Sequence, residues 1–119
     1  MTKSISRVVV RSDDAFQVIQ TEHIIYLKID NGTVTVHDIH ENAFPLNIGR
    51  LRDVEKLLDQ RIFFRANRNF IININYIKKF RILSRSKVCV DLNSSLDQGI
   101  IISQRNSASF KHWINEISS

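Results

Sequence analysis

The chain has 119 residues, 43% hydrophobic and 24% charged, a composition ordinary for a globular protein rather than a disordered one, which suits one domain with its own core, over 1–119. Seventeen Lys and Arg against twelve Asp and Glu leave a formal charge of +5, which favours an anionic partner no more than it favours plain solubility. A single cysteine, Cys89, excludes an internal disulfide, no apolar run approaches the ~20 residues that span a bilayer, and Met1 to Arg11 lacks a secretory apolar core, so a cytoplasmic location is expected.

In chain order, the signal is mostly short strands. Arg7 to Arg11 carries Val8, Val9 and Val10, and Phe16-Gln17-Val18 alternates after the turn-prone Ser12-Asp13-Asp14. Ile24-Ile25-Tyr26-Leu27 is apolar throughout, as in a strand covered on both faces. Asp30-Asn31-Gly32 predicts a tight turn, because Asn and Gly tolerate positive φ. Thr33 to Val36 is β-branched and alternating. Ala43 to Ile48 reads as a strand with Phe44, Leu46 and Ile48 on one face, and Pro45 assigns it to an edge. A helix is expected over 49–60, with Leu51, Val54, Leu57 and Leu58 as its apolar face and Asn47 as a cap.

Farther on, Ile77 to Leu83 and Lys87 to Leu92 read as a strand pair turning at Ser84-Arg85-Ser86. Asn93-Ser94-Ser95 is a turn, and Gly99 to Ile102 a last strand. The closing helix, about 103–117, has Phe110, Trp113, Ile114 and Ile117 as its stripe and Ser103 as its N-cap. Many short strands with two helices predict a mostly β fold.

The segment between Asp59 and Asp91 stands apart. It holds eight of the seventeen Lys and Arg and no acid. Within it, residues 63–77 place Arg65, Arg68, Asn67, Asn69, Asn73 and Asn75 among large apolar side chains. Arginine pairs with guanine O6 and N7, and asparagine with adenine N6 and N7. Lys78, Lys79, Arg81, Arg85 and Lys87 then suit phosphates, which set affinity without reading sequence. The plainer reading is an arginine paired with a carboxylate inside the fold; composition alone divides the two about equally. Asn73, after an apolar pair, suits tying down the loop backbone.

Enzymatic chemistry finds little support. His37 and His40 have the spacing of a metal pair, but an odd separation on a strand puts them on opposite faces, and zinc would need further ligands nearby. Asp13-Asp14 reads as a solvated turn. No glycine-rich phosphate loop or Ser–His–Asp spacing exists. Phe63, Phe64, Phe70 and Tyr76 read as core rather than as base-stacking platforms. No cofactor, metal or small-molecule substrate is expected.

Phe64-Arg65-Ala66-Asn67-Arg68-Asn69-Phe70-Ile71-Ile72-Asn73, with Ile77 after it, resembles the signature of the LytTR (LytR/AlgR-type) DNA-binding domain family. His23 to Leu27, Leu51 to Leu58 and Ile102-Ser103-Gln104-Arg105-Asn106 are similar to that family's first buried strand, its helix and its late element before the terminal helix. The resemblance implies an elongated, mostly β fold: a β-β-β sandwich of small antiparallel sheets with two short helices. It also implies the output domain of a bacterial transcription or two-component response regulator. Such a domain places loops in successive major grooves, binds paired repeat sites in double-stranded DNA, bends the DNA, and can act as a homodimer on it. Carried over by position, the base contacts are Arg68 and Arg105, supported by Asn69, Asn31, Asn67 and Asn106. The phosphate contacts are Arg65, Lys78, Lys79 and Arg85. Asn67 and Asn69 stand where the family has histidine and serine, and Lys28 where an acid often follows the first buried strand. The rival expectation is a protein-interaction module of the same scaffold that no longer reads DNA. The chain is expected to be either a stand-alone regulator or an excised output domain.

Overall fold

The computed structural model describes residues 4–96 and 98–117, excepting the side chains of 116 and 117. Its centre is a five-stranded antiparallel sheet. The strands are β3 (Ile24–Asp30), β4 (Thr33–Asp38), β5 (Ala43–Pro45), β6 (Phe63–Arg65) and β7 (Phe70–Asn73), in spatial order β5-β4-β3-β7-β6. On one side lies the hairpin of β1 (Arg7–Ser12) and β2 (Ala15–Gln20). On the other lies a three-stranded sheet of β10 (Ile100–Ile102), β9 (Lys87–Leu92) and β8 (Ile77–Ser84). Helix α1 (Leu51–Glu55) joins the first side and α2 (Gln104–Ile117) the second. The molecule measures 48 × 36 × 26 Å along its principal axes. This is the mostly β fold with two helices that the sequence predicts, in the elongated stack of small sheets that the family resemblance implies.

Two cores follow from the central strand. Ile24 and Leu27 face the β1–β2 side, whereas Ile25 and Tyr26 face the three-stranded sheet. Two neighbours can share a face because the register slips between Ile24 and Tyr26, leaving an extra residue opposite β4. A strand buried on both faces reads as a continuous apolar run, as this one does. The β3–β4 turn has Asn31 at φ 51° and Gly32 at φ 76°, the paired positive angles of a type I′ hairpin. The second core centres on Phe110 of α2, fully buried beneath Phe64 and Phe80 in edge-to-face contacts. Asn73 is also fully buried. Its Nδ2 donates to the Ile24 carbonyl at 2.8 Å and its Oδ1 accepts from the Asn75 amide at 2.8 Å.

Several local expectations are corrected. Helix α1 spans five residues rather than the predicted twelve, and it starts after Arg50 with no side-chain cap, so Asn47 does not cap it. Its end tightens: the amides of Leu57 and Leu58 donate three residues back, to Val54 and Glu55. That change of period turns Leu57 out to 40% exposure while Leu51, Val54 and Leu58 stay buried. Strand β5 stops at Pro45, although its edge position matches the proline. Phe16 and Val18 do alternate, but on the outward face of β2, where only Ile19 is buried. His40 lies in a turn beyond β4, not on the strand. The Ser103 hydroxyl is buried without a hydrogen bond among the described residues, so it does not cap α2; the Ser103 carbonyl accepts the Asn106 amide instead. The side chain of Ile117 lies outside the described residues.

Candidate nucleic-acid interface

Three expected contact elements meet at one end of the central sheet. Strands β6 and β7 run antiparallel, so the residues between them, 66–69, form a loop at the sheet end. The Ile29 amide donates to the Asn69 carbonyl at 2.9 Å, which brings the Asn31 turn, two residues farther on, beside that loop. The Ser103 amide donates to the Ala66 carbonyl at 2.9 Å, which brings in the start of α2 with Arg105. Between the loop, α1 and α2 lies an open groove of about 1070 Å³. Arg52, Arg65, Arg68 and Arg105 line it, and Phe64 and Trp113, with ring centroids 5.0 Å apart, form part of its floor.

Of the lining arginines, Arg52, Arg68 and Arg105 have exposed side chains that make no hydrogen bond or ion pair among the described residues. Asn31 and the Asn69 side chain are exposed in the same way. A guanidinium with its donors directed to solvent can take a phosphate or a purine edge without first breaking an internal bond.

Three expected contact residues are engaged within the chain instead. Arg65 is half-buried. Its Nε donates to the Asn67 carbonyl at 2.6 Å and one terminal nitrogen to the Arg68 carbonyl at 3.1 Å. The other terminal nitrogen pairs with Glu55 Oε1 at 3.3 Å. Asn67 Oδ1 accepts from the amides of Asn69 and Phe70, and its Nδ2 donates to the Ile101 carbonyl at 2.7 Å. Asn106 Nδ2 donates to the Arg65 carbonyl at 3.2 Å. Carbonyls in the loop and at the flanking strand ends that no strand partner takes accept from these side chains instead.

The expected phosphate contacts divide. Arg85 is exposed in the β8–β9 turn, whose backbone is tied to α2: Ser107 Oγ donates to the Ser86 carbonyl and Lys111 Nζ to the Arg85 carbonyl. Lys78 and Lys79 are exposed at the opposite end of β8. That end follows directly on Tyr76, whose hydroxyl donates to the Glu22 carbonyl just before β3. At about 3.3 Å per residue, Lys78 and Arg85 stand ~20 Å apart. The structure therefore gathers Asn31, Asn69, Arg68, Arg105 and Arg85 toward one end and leaves Lys78 and Lys79 at the other. Arg52, which the sequence reading does not single out, joins the groove. The available signal was its spacing of three from Glu55 on one helix, which puts both on one face.

Lys28 Nζ sits 5.7 Å over the Phe70 ring. His37 stacks on Tyr26 with centroids 4.2 Å apart, and burial, then the charge of Lys28, hold its ring neutral to lower pH than usual. No group of three or more candidate metal ligands exists among the described residues. Among those residues, no helix is long and apolar enough to cross a membrane.

Comparison with known proteins bears on the family and the fold. The family model of the LytTr DNA-binding domain matches residues 14–115. The transcriptional regulatory protein NatR of Bacillus subtilis (strain 168) is 25% identical over 99 residues, covering 83% of this chain and 42% of that protein. The chain thus spans less than half the length of that relative. The solved structure of a LytTr DNA-binding domain from Bacillus cereus shares the fold with a TM-score of 0.81 at 22% identity, over 93% of this chain and 98% of that one.

Proposed function

This chain belongs to the LytTr DNA-binding domain family, and from that premise we propose that it binds double-stranded DNA sequence-specifically as the output part of a bacterial transcriptional regulator in the cytoplasm. The observation that carries the proposal is that Arg68 and Arg105, on two different elements, line one groove with exposed, internally unpaired guanidinium groups, as Arg52 does from α1. In this reading the 66–69 loop and the start of α2 enter the major groove, where Arg68 and Arg105 read purine edges. Asn69 and Asn31 add contacts from the neighbouring turn. Arg85 meets phosphate beside them. Lys78 and Lys79, ~20 Å along β8, reach phosphates only where the duplex bends or a second site begins. Paired repeat sites occupied by two copies fit that arrangement.

The test is selection of bound duplexes from a random pool, followed by binding of the selected duplex across a salt series. Enrichment of one motif is expected, with affinity falling steeply between about 50 and 200 mM salt. Failure to retain any duplex at low salt sinks the proposal and favours a scaffold that recognises protein instead.

A further inference from the structure

We infer that Arg65 is a positioning residue, which holds the backbone segments carrying Arg68 and Arg105 in one register, and that Asn67 and Asn106 fasten the two elements it joins. The inference rests on the reading of this face as a DNA surface, and it assigns Arg65, Asn67 and Asn106 to the geometry of the contact rather than to the contact itself.

Arg65 reaches two successive loop carbonyls, those of Asn67 and Arg68, and the Glu55 carboxylate on α1. A guanidinium offers five donors in a rigid plane, so one group can hold three acceptors at set angles. The carbonyl of Arg68 itself is one of the three, so the backbone that carries the exposed guanidinium is clamped directly. Three further bonds leave successive residues of the same segment for the other arginine-bearing element. The Arg65 carbonyl accepts from Asn106 Nδ2, the Ala66 carbonyl from the Ser103 amide, and Asn67 Nδ2 donates to the Ile101 carbonyl. Arg105 lies within this cross-tied stretch, between Ser103 and Asn106. Moving Arg68 relative to Arg105 therefore requires breaking side-chain and backbone bonds together.

This arrangement has a consequence that a phosphate contact lacks. Bidentate pairing with a base edge needs both guanidinium groups in the correct plane, whereas a phosphate accepts charge from a range of directions. Loosening the clamp should lower discrimination between sites while leaving non-specific affinity and its salt dependence unchanged. A phosphate contact at Arg65 makes the opposite forecast: lysine substitutes well, and alanine weakens all duplexes alike with a salt slope reduced by about one.

The experiment uses the whole chain with Arg65→Lys and, as a second variant, Glu55→Gln, which leaves every proposed DNA contact and the charge of Arg65 in place. Binding to the selected duplex and to a random duplex is measured across salt. Backbone ¹⁵N relaxation of Arg68 and Asn69 is recorded without DNA. Arg65→Lys is expected to reduce the selected-to-random affinity ratio about tenfold at an unchanged salt slope, with lower order parameters at Arg68 and Asn69. Removing the Glu55 charge beside a polyanion surface should by charge alone strengthen binding. The clamp instead requires the ratio to fall, by about threefold for one partly exposed ion pair. A wild-type ratio in Arg65→Lys, or unchanged loop order parameters, overturns the inference. Loss of all duplex binding by the unsubstituted chain would overturn the DNA reading, and relaxation would then still decide whether Arg65 orders the loop.

Discussion

The Ile29 amide donates to the Asn69 carbonyl at 2.9 Å, and this bond sets the Asn31 turn beside the loop that carries Arg68. Strand β3 thus does more than fill the middle of the sheet. Its end ties together two turns far apart in sequence, and the bonds from the loop to residues 101–106 add the start of α2 as a third element. The expected contact face is a set of sheet-end loops, whose spacing is determined by strand pairing beneath it. Rigid elements hold such residues more accurately than free loops do.

Arg68→Ala should cut affinity for the selected duplex by about 1–3 kcal/mol, the value of one bidentate base pair contact, and change random-duplex affinity far less. Arg105→Ala should behave alike. Fluorescence anisotropy with both duplexes reads the difference, and the double variant should show losses that do not simply add, because the two share one cross-tied frame. Equal loss on both duplexes would reassign either arginine to phosphate.

How far the sequence discloses this site depends on how local each cause is. The Asn31-Gly32 turn was legible because positive φ is a property of those two residues, and the doubly covered β3 because four apolar residues stand in a row. The loop position of Arg68 was legible through the signature around it. The roles of Asn67 and Asn106 were not, because their acceptors, the carbonyls of Ile101 and Arg65, lie 34 and 41 residues away in sequence. A carboxamide that reads a base and one that holds a backbone look identical in a string. The length of α1 was hidden for a related reason: its apolar spacing continues past Glu55, but the amide bonds there shorten to three residues.

Arg85→Ala should lower the slope of log affinity against log salt by about one, whereas Lys78→Ala should change it less on a short, single-site duplex. The distinction comes from the fold: Arg85 sits in a turn bonded to α2, and Lys78 lies near the start of β8 beside the opposite end of the central sheet. Repeating the titration on a duplex with two sites should restore a Lys78 effect if the DNA bends around the molecule. An equal loss of slope for both residues on the short duplex contradicts the placement.

Asn73→Ala should destabilise the fold by about 1–3 kcal/mol, because it leaves the Ile24 carbonyl buried without its donor. The amide is fully buried between the start of β3 and the end of β7, so water has no access to replace it. Asn75→Ala, at an exposed position whose backbone alone takes part in the contact, should stay within about 0.5 kcal/mol. Urea denaturation of the two variants makes the comparison, and similar midpoints for both would remove Asn73 from the structural frame.

Acid should weaken the fold through His37. In the unfolded chain the imidazole titrates near its ordinary value of 6.5; in the folded chain burial against Tyr26, reinforced by Lys28, keeps it neutral to lower pH, with Asp38 and Asp30 opposing the shift. Above about 6.5 both states are neutral and the full stability is present. As the pH falls below that, the unfolded chain takes up a proton that the folded chain refuses, and stability declines until the folded ring also titrates. The Asp59 carboxyl, held below its ordinary 3.8 mainly by its hydrogen bonds from Arg61, acts only in a more acidic range and does not confuse the reading. Thermal denaturation from about pH 8 to about pH 5 should therefore show a decline in Tm that is shallower in His37→Phe, which keeps a ring on Tyr26 but has no proton to gain. Parallel profiles for the two proteins would assign the acid sensitivity to other groups.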